Sequence, residues 1–174
     1  MKSLWIETEK EILKDSKKLK EDIDLDVCVI GGGITGISTA YNLSQAGKKV
    51  AVLERGKIAA STTGNTTGKI TSQHGLFYKY LTDNYGKEYA KNYYNANQEA
   101  IENIAKIIEE ESIECDFERQ DAYVFTRSIE EIQKIKDEVN AVQNFGGEAE
   151  FVENIDAPIK NVLRSNKISK SSNV

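Results

Sequence analysis

Asp26-Val27-Cys28-Val29-Ile30-Gly31-Gly32-Gly33-Ile34-Thr35-Gly36 decides how the rest of this chain is read. Leu25 to Ile30 is an apolar run too continuous for a half-exposed strand. It predicts a strand buried on both faces, with Cys28 as a small interior residue. Glycines then punctuate the chain. Gly31 suits a sharp turn out of the strand, Gly33 lets a ligand approach the backbone, and Gly36 lets a helix sit tightly on the sheet. From Thr35 to Gln45 the apolar residues Ile37, Ala40, Tyr41 and Leu43 follow a helical spacing, with Gly47 as a stop signal. Lys49-Val50-Ala51-Val52-Leu53-Glu54 is a second strand, expected to pair parallel to the first through a right-handed crossover.

A strand, a glycine turn, a helix start and a strand ending in an acid, in that order, suit the ADP half of a dinucleotide. The helix N-terminus offers unpaired N–H groups and partial positive charge to a diphosphate. Glu54 lies about twenty residues past the glycines, where a carboxylate accepts hydrogen bonds from ribose hydroxyls and repels a 2′-phosphate. NADP is therefore disfavoured. A glycine turn in a βαβ unit that binds no nucleotide is the plainer alternative.

After Glu54-Arg55-Gly56 the chain enters Ala59-Ala60-Ser61-Thr62-Thr63-Gly64-Asn65-Thr66-Thr67-Gly68-Lys69-Ile70-Thr71-Ser72-Gln73-His74-Gly75. So many Gly, Ser and Thr residues supply backbone and hydroxyl donors with little bulk, which suits wrapping a phosphate and a polyol. A flexible surface loop has the same composition. This segment, with the glycine turn and Glu54, resembles the FAD-dependent oxidoreductases of the D-amino-acid oxidase, glycine oxidase and sarcosine oxidase superfamily. It is most like the bacterial branch whose longer members carry a C-terminal Rieske iron–sulfur domain.

The resemblance spans about Leu4 to Leu163. It implies FAD contacts at Gly31, Gly33, Ile34, Thr35, Glu54, Arg55, Thr62, Thr63 and Thr67, with Gly36 and His74 in the same candidate set. The implied reaction is hydride transfer from a C–N or C–O bond of a small substrate to the flavin. Two other readings stay open: a catalytically inert, truncated dinucleotide-binding fragment, and an NAD-dependent dehydrogenase module.

The fold class that follows is α/β, a Rossmann-like FAD-binding βαβ domain with the start of an α+β substrate domain. Residues 1–24 are expected to hold an amphipathic helix over Ile6 to Leu19. Residues 25–115 form the FAD-binding domain, 116–163 begin the substrate domain, and 164–174 form a disordered polar tail. Family members are about twice this length or more, having both a nucleotide and a substrate domain, so the chain resembles an N-terminal portion. Its tail looks like what a frameshift or early stop would leave. A truncated sheet would leave an exposed edge or face.

Further helices are expected near Leu76 to Leu81 and over Lys87 to Glu111. The second should bury Tyr89, Tyr93, Ala96, Ala100, Ile101, Ile104, Ile107 and Ile108. Cys115 to Arg119 and Ala122 to Thr126 have strand character, Ser128 caps a helix from Ile129 to about Asn144, and Ala149 to Val152 is another strand. Asp156 to Lys160 is expected to be a loop.

No catalytic residue is identifiable. His74, the only histidine, either polarises or anchors the flavin ring, or is a helix-start residue satisfied by neighbouring backbone. Lys69 is a phosphate or flavin partner, or a solvated charge. Arg119 meets a substrate carboxylate, or forms a surface ion pair with Glu118 or Asp121. One histidine and two distant cysteines offer no zinc cluster and no Rieske ligand set.

The 174 residues carry a net charge of −5 and a pI near 5.1, which argues against nucleic acid and anionic membrane surfaces. Two cysteines without a disulfide framework, and no signal-peptide core, point to the cytoplasm. The expected partner is a small-molecule substrate, with the oligomeric state open.

Overall fold

The structure, a computed structural model, describes residues 3–8, 18–153 and 164–173. The chain forms two compact units, Met1–Thr67 and Gly68–Val174. The division therefore falls after Thr67, well before the expected boundary at residue 115, because the described elements from Lys69 onward join one sheet and its helices.

The first unit contains α1 (Leu4–Thr8), β1 (Val27–Ile30), α2 (Ile34–Gln45) and β2 (Val50–Leu53). The strands pair in parallel, Val27 opposite Val50 through Ile30 opposite Leu53, as the crossover requires. Asp26 Oδ2 accepts the Lys49 N–H at 2.8 Å, pinning the entrance of the ribbon. Helix α2 packs on both strands.

Burial of β1 corrects the expectation. Val27 and Val29 are half-buried, whereas Cys28 and Ile30 are exposed, Ile30 at 87%. One helix covers one face of a two-stranded ribbon, and among the described residues nothing covers the other. The expected helix over Ile6 to Leu19 falls mostly on residues 9–17, outside the described residues; Leu4–Thr8 is helical and Lys18 to Lys20 are irregular.

The second unit holds β3 (Lys69–Ile70), α3 (Tyr78–Tyr85), α4 (Lys87–Glu110), β4 (Glu118–Thr126), α5 (Ile132–Asn144), β5 (Glu150–Val152) and β6 (Arg164–Asn173). Strand β6 is central. All along its length β4 pairs antiparallel with it, while β3 and β5 share its other edge. The expected disordered tail is thus the strand that organises this sheet. Backbone pairing on both edges holds it, and Ile168, its one isoleucine, is fully buried. The two short strands expected on either side of Gln120-Asp121 are one strand with a register shift between Gln120 and Ala122. The Asp156 to Lys160 loop lies outside the described residues.

The core of this unit is aromatic and aliphatic: Tyr78, Leu81, Ala90, Tyr94, Ala141, Val142, Phe145 and Ile168. The rings of Tyr78, Tyr94 and Phe145 meet at centroid distances of 5.5–5.7 Å. Helix α4 buries Ala90, Tyr94 and Ile101, so its core stripe is rotated from the expected one and leaves Tyr89, Ala96 and Ala100 exposed. Ser128 makes no side-chain cap; a 3-10 turn over Ile129–Glu131 precedes α5, and Thr126 Oγ1 accepts the Ser128 N–H at 2.9 Å. Among the described residues no helix is long and apolar enough to cross a membrane.

Candidate functional site

The candidate site is built on the turn between β1 and α2. Gly31 leaves the strand with φ +105°, a conformation that strains any L side chain, and its N–H still reaches the Leu53 carbonyl at 2.8 Å. Gly36, in the first turn of α2, lies so close to this bend that a methyl group there would overlap the Gly31 carbonyl oxygen and press on Val29. Gly31 is therefore dictated by its backbone angle and Gly36 by packing against the turn. Together they hold the head of α2 against the end of β1, where its N-terminal N–H groups gather.

Glu54 closes the turn from the other strand. Its Oε2 accepts the Gly32 N–H at 2.8 Å and its Oε1 the Gly56 N–H at 2.7 Å. Those two N–H groups, Gly32's foremost, hold the Glu54 carboxyl below the usual carboxylate range, with Arg55 adding a smaller charge effect. A carboxylate has about four acceptor positions, so two bonds leave room for two more. The side chain is exposed, open to a ligand approaching from solvent.

The hydroxyl-rich loop returns to the same turn. The Ala59 N–H donates to the Gly32 carbonyl at 2.9 Å, and Thr63 Oγ1 accepts the Ile34 N–H at 3.0 Å. Gly32 is thus engaged through both backbone groups, and the first residue of α2 is met by a threonine hydroxyl. The structure brings Gly31, Gly33, Ile34, Thr35 and Gly36 together with Glu54 and Thr63. Arg55, Thr62 and Thr67 flank this network in sequence and are exposed.

His74 belongs to the second unit. Its Nδ1 pairs with the Tyr93 hydroxyl at 3.0 Å, and the two rings meet edge to face, so a tyrosine satisfies it rather than neighbouring backbone. Next to it, Gln73 is 4% exposed, and neither atom of its carboxamide has a hydrogen-bond partner among the described residues. Sequence reasoning passed over Gln73; its only signal was its place beside the lone histidine. Lys69 sits exposed on β3. Arg119 makes a two-pronged ion pair with Glu102, both contacts 2.8 Å, instead of pairing with Glu118 or Asp121. Asp121 pairs with Lys167 at 2.8 Å.

The residues present fit the ADP half of FAD. The turn would crowd if Gly36 carried a side chain, a carboxylate is fixed beside it with acceptor capacity to spare, and the Thr63 hydroxyl reaches the head of α2. Known proteins agree. Residues 26–161 match the FAD dependent oxidoreductase (DAO) family model. The Bacillus subtilis protein YhfW, named as a Rieske 2Fe-2S iron-sulfur protein, is 39% identical over 145 residues, 83% of this chain and 28% of its own length. The Escherichia coli gamma-glutamylputrescine oxidoreductase is 34% identical over 99 residues, 57% of this chain and 23% of the relative.

Among solved structures, L-amino acid deaminase from Proteus vulgaris superposes with a TM-score of 0.69 at 15% identity, over 94% of this chain and 42% of that one. Glycine oxidase from Bacillus cereus gives 0.62 at 20%, over 87% and 40%. The chain thus spans less than half the length of these relatives and neighbours. With the family model covering residues 26–161 and the glycine turn, Glu54 and Thr63 forming one hydrogen-bonded network, the chain belongs to the FAD dependent oxidoreductase family.

Proposed function

We propose that this chain supplies the adenosine-diphosphate grip of an FAD-dependent oxidoreductase that takes a hydride from a C–N or C–O bond of a small molecule. The observation that carries the reading is Glu54, tied to Gly32 and Gly56 and still able to accept two ribose hydroxyls. Gly31, Gly33, Ile34, Thr35 and Gly36 would face the diphosphate, with Arg55, Thr62, Thr63 and Thr67 along the loop that follows. Bound flavin would supply the hydride acceptor; the protein's share is to orient it and keep charge and water in order. The names of gamma-glutamylputrescine oxidoreductase and glycine oxidase support a C–N substrate, and those of the glycerol-3-phosphate dehydrogenases among the relatives a C–O one.

Turnover by this span alone is expected to be weak or absent, since it corresponds to 28% of YhfW. A cytoplasmic setting belongs to the same reading, supported by two cysteines that lie in different units. The test is a visible spectrum of the purified protein followed by calorimetric titration with FAD, NAD and ADP. A yellow protein, or saturable uptake of FAD and ADP in preference to NAD, sustains the reading. A colourless protein that rejects all three establishes the inert-fragment alternative instead.

A further inference from the structure

Helix α1 lies before the span matched by the family model, which begins at residue 26. Yet it fastens directly onto the loop that carries Thr63. Ser3 Oγ donates to the Gly64 carbonyl, and the Trp5 indole Nε1–H donates to the Thr66 carbonyl at 2.7 Å. Ile6 lies beside Gly64: a methyl group built on Gly64 would overlap the Ala59 carbonyl oxygen of the same loop and meet Ile6 at 3.0–3.1 Å. Gly64 is buried at this contact. The loop itself is a single 3-10 turn, Thr63–Asn65, with the Thr62 carbonyl accepting the Asn65 N–H at 3.1 Å and the Ser61 carbonyl accepting the Asn65 side chain at 2.7 Å. A turn this short gains little order from its own bonds.

We infer that Ser3, Trp5 and Ile6 form a clamp that positions the Thr62–Thr67 loop, and through Thr63 the head of α2, for the cofactor's diphosphate. The inference rests on the functional reading above for the identity of the ligand, but the clamp is observable without it. The Thr63 hydroxyl meets the Ile34 N–H only while the turn carrying it stays seated, and the two carbonyls held by α1 lie one and three residues beyond Thr63. A loosened loop would have to be ordered again at binding, and affinity would fall by that ordering cost. Ser3, Trp5 and Ile6 are positioning residues in this account; none is required to touch the ligand.

The experiment compares the parent chain with Ser3→Ala, Ser3→Thr and Trp5→Phe. Amide hydrogen exchange is followed over residues 62–67, and FAD affinity is measured by flavin fluorescence. Trp5 is the only tryptophan, so in the parent and the Ser3 variants its emission reports the clamp directly. Ser3→Ala and Trp5→Phe each remove one hydrogen bond. The expected result is exchange in the loop about tenfold faster and FAD binding about tenfold weaker, with exchange in β1 and β2 unchanged. Ser3→Thr, which keeps the hydroxyl, restores both values. Unchanged loop exchange in both variants overturns the clamp. Faster exchange with unaltered affinity overturns its role in cofactor binding. A parent chain that takes up no FAD refutes the functional reading, and loop exchange then decides the clamp alone.

Discussion

Glu138 on α5 is the buried carboxylate of the second unit, and replacing it should unseat a neighbouring helix. Its Oε1 accepts the Phe77 and Tyr78 N–H groups at 2.9 and 2.8 Å, and its Oε2 the Lys79 N–H at 2.7 Å. These are donors at the start of α3, where no residue of that helix provides a side-chain cap. Glu138→Ala orphans three of them. The Tyr78 N–H is buried and loses most, while the Phe77 and Lys79 groups lie nearer solvent and recover water. Set against relief from desolvating the carboxylate, the net loss is about 3 kcal/mol. With a urea slope of about 1.5 kcal/mol/M for a unit this size, the midpoint should fall by about 2 M.

The readout is near-UV circular dichroism of the tyrosines, of which Tyr78 and Tyr94 lie in the affected core. Glu138→Gln keeps one carbonyl for Phe77 and Tyr78 but turns an amide N–H₂ toward the Lys79 N–H, for a loss of about 1 kcal/mol. Acidity gives a second handle. Burial raises the Glu138 carboxyl above its ordinary value of 4.5, against the opposing pull of the three N–H groups. The native state therefore binds this proton more tightly than the unfolded chain. Stability from this group is fullest below the unfolded value and is lost as pH rises through the higher native one. Glu138→Gln should lack that slope. An alanine variant within about 0.3 M of the parent midpoint refutes the capping argument, and identical pH slopes in parent and glutamine variant refute the raised carboxyl.

Three further outcomes are expected. Gly36→Ala should abolish FAD uptake and shift Trp5 emission, because the added methyl has nowhere to go but into the Gly31 carbonyl; normal uptake would show that the turn gives way freely. Glu54→Gln, left with a single acceptor oxygen, should weaken FAD by about tenfold or more in a fluorescence titration, and unchanged affinity would remove Glu54 from the ribose. Ile168→Asp places a charge at a fully buried point of β6, so amide protection should collapse across β4, β5 and β6.

The first unit was legible where its causes are local. Gly31, Gly36 and Glu54 act on neighbours within one βαβ crossover, and their spacing carries the geometry. The exposure of Ile30 and Cys28 was not legible, since an apolar run states what a strand is suited to and not what lies over it. Ser165 to Asn173 contains one isoleucine among polar residues, and no period marks it as a strand. Its identity comes from backbone pairing with β3, β4 and β5, of which β3 and β4 are distant in sequence. The same holds for Arg119, whose partner Glu102 lies on another element, and for Trp5, whose acceptor at Thr66 is 61 residues away. On α4 the expected stripe caught Ile101 but took Tyr89 for Tyr94, since tyrosines on neighbouring faces look equally fit to turn inward.

The central place of β6 bears on how the polypeptide acquires its shape during synthesis. Lys69 pairs with Asn173, so β3 waits about a hundred codons for its neighbour, β4 waits over a shorter span, and β5 comes directly before β6. The glycine-turn unit is complete far earlier and can assemble as it emerges from the ribosome. Until β6 emerges, β3 and β4 lack their partner strand, an interval in which chaperone binding or mispairing competes with folding.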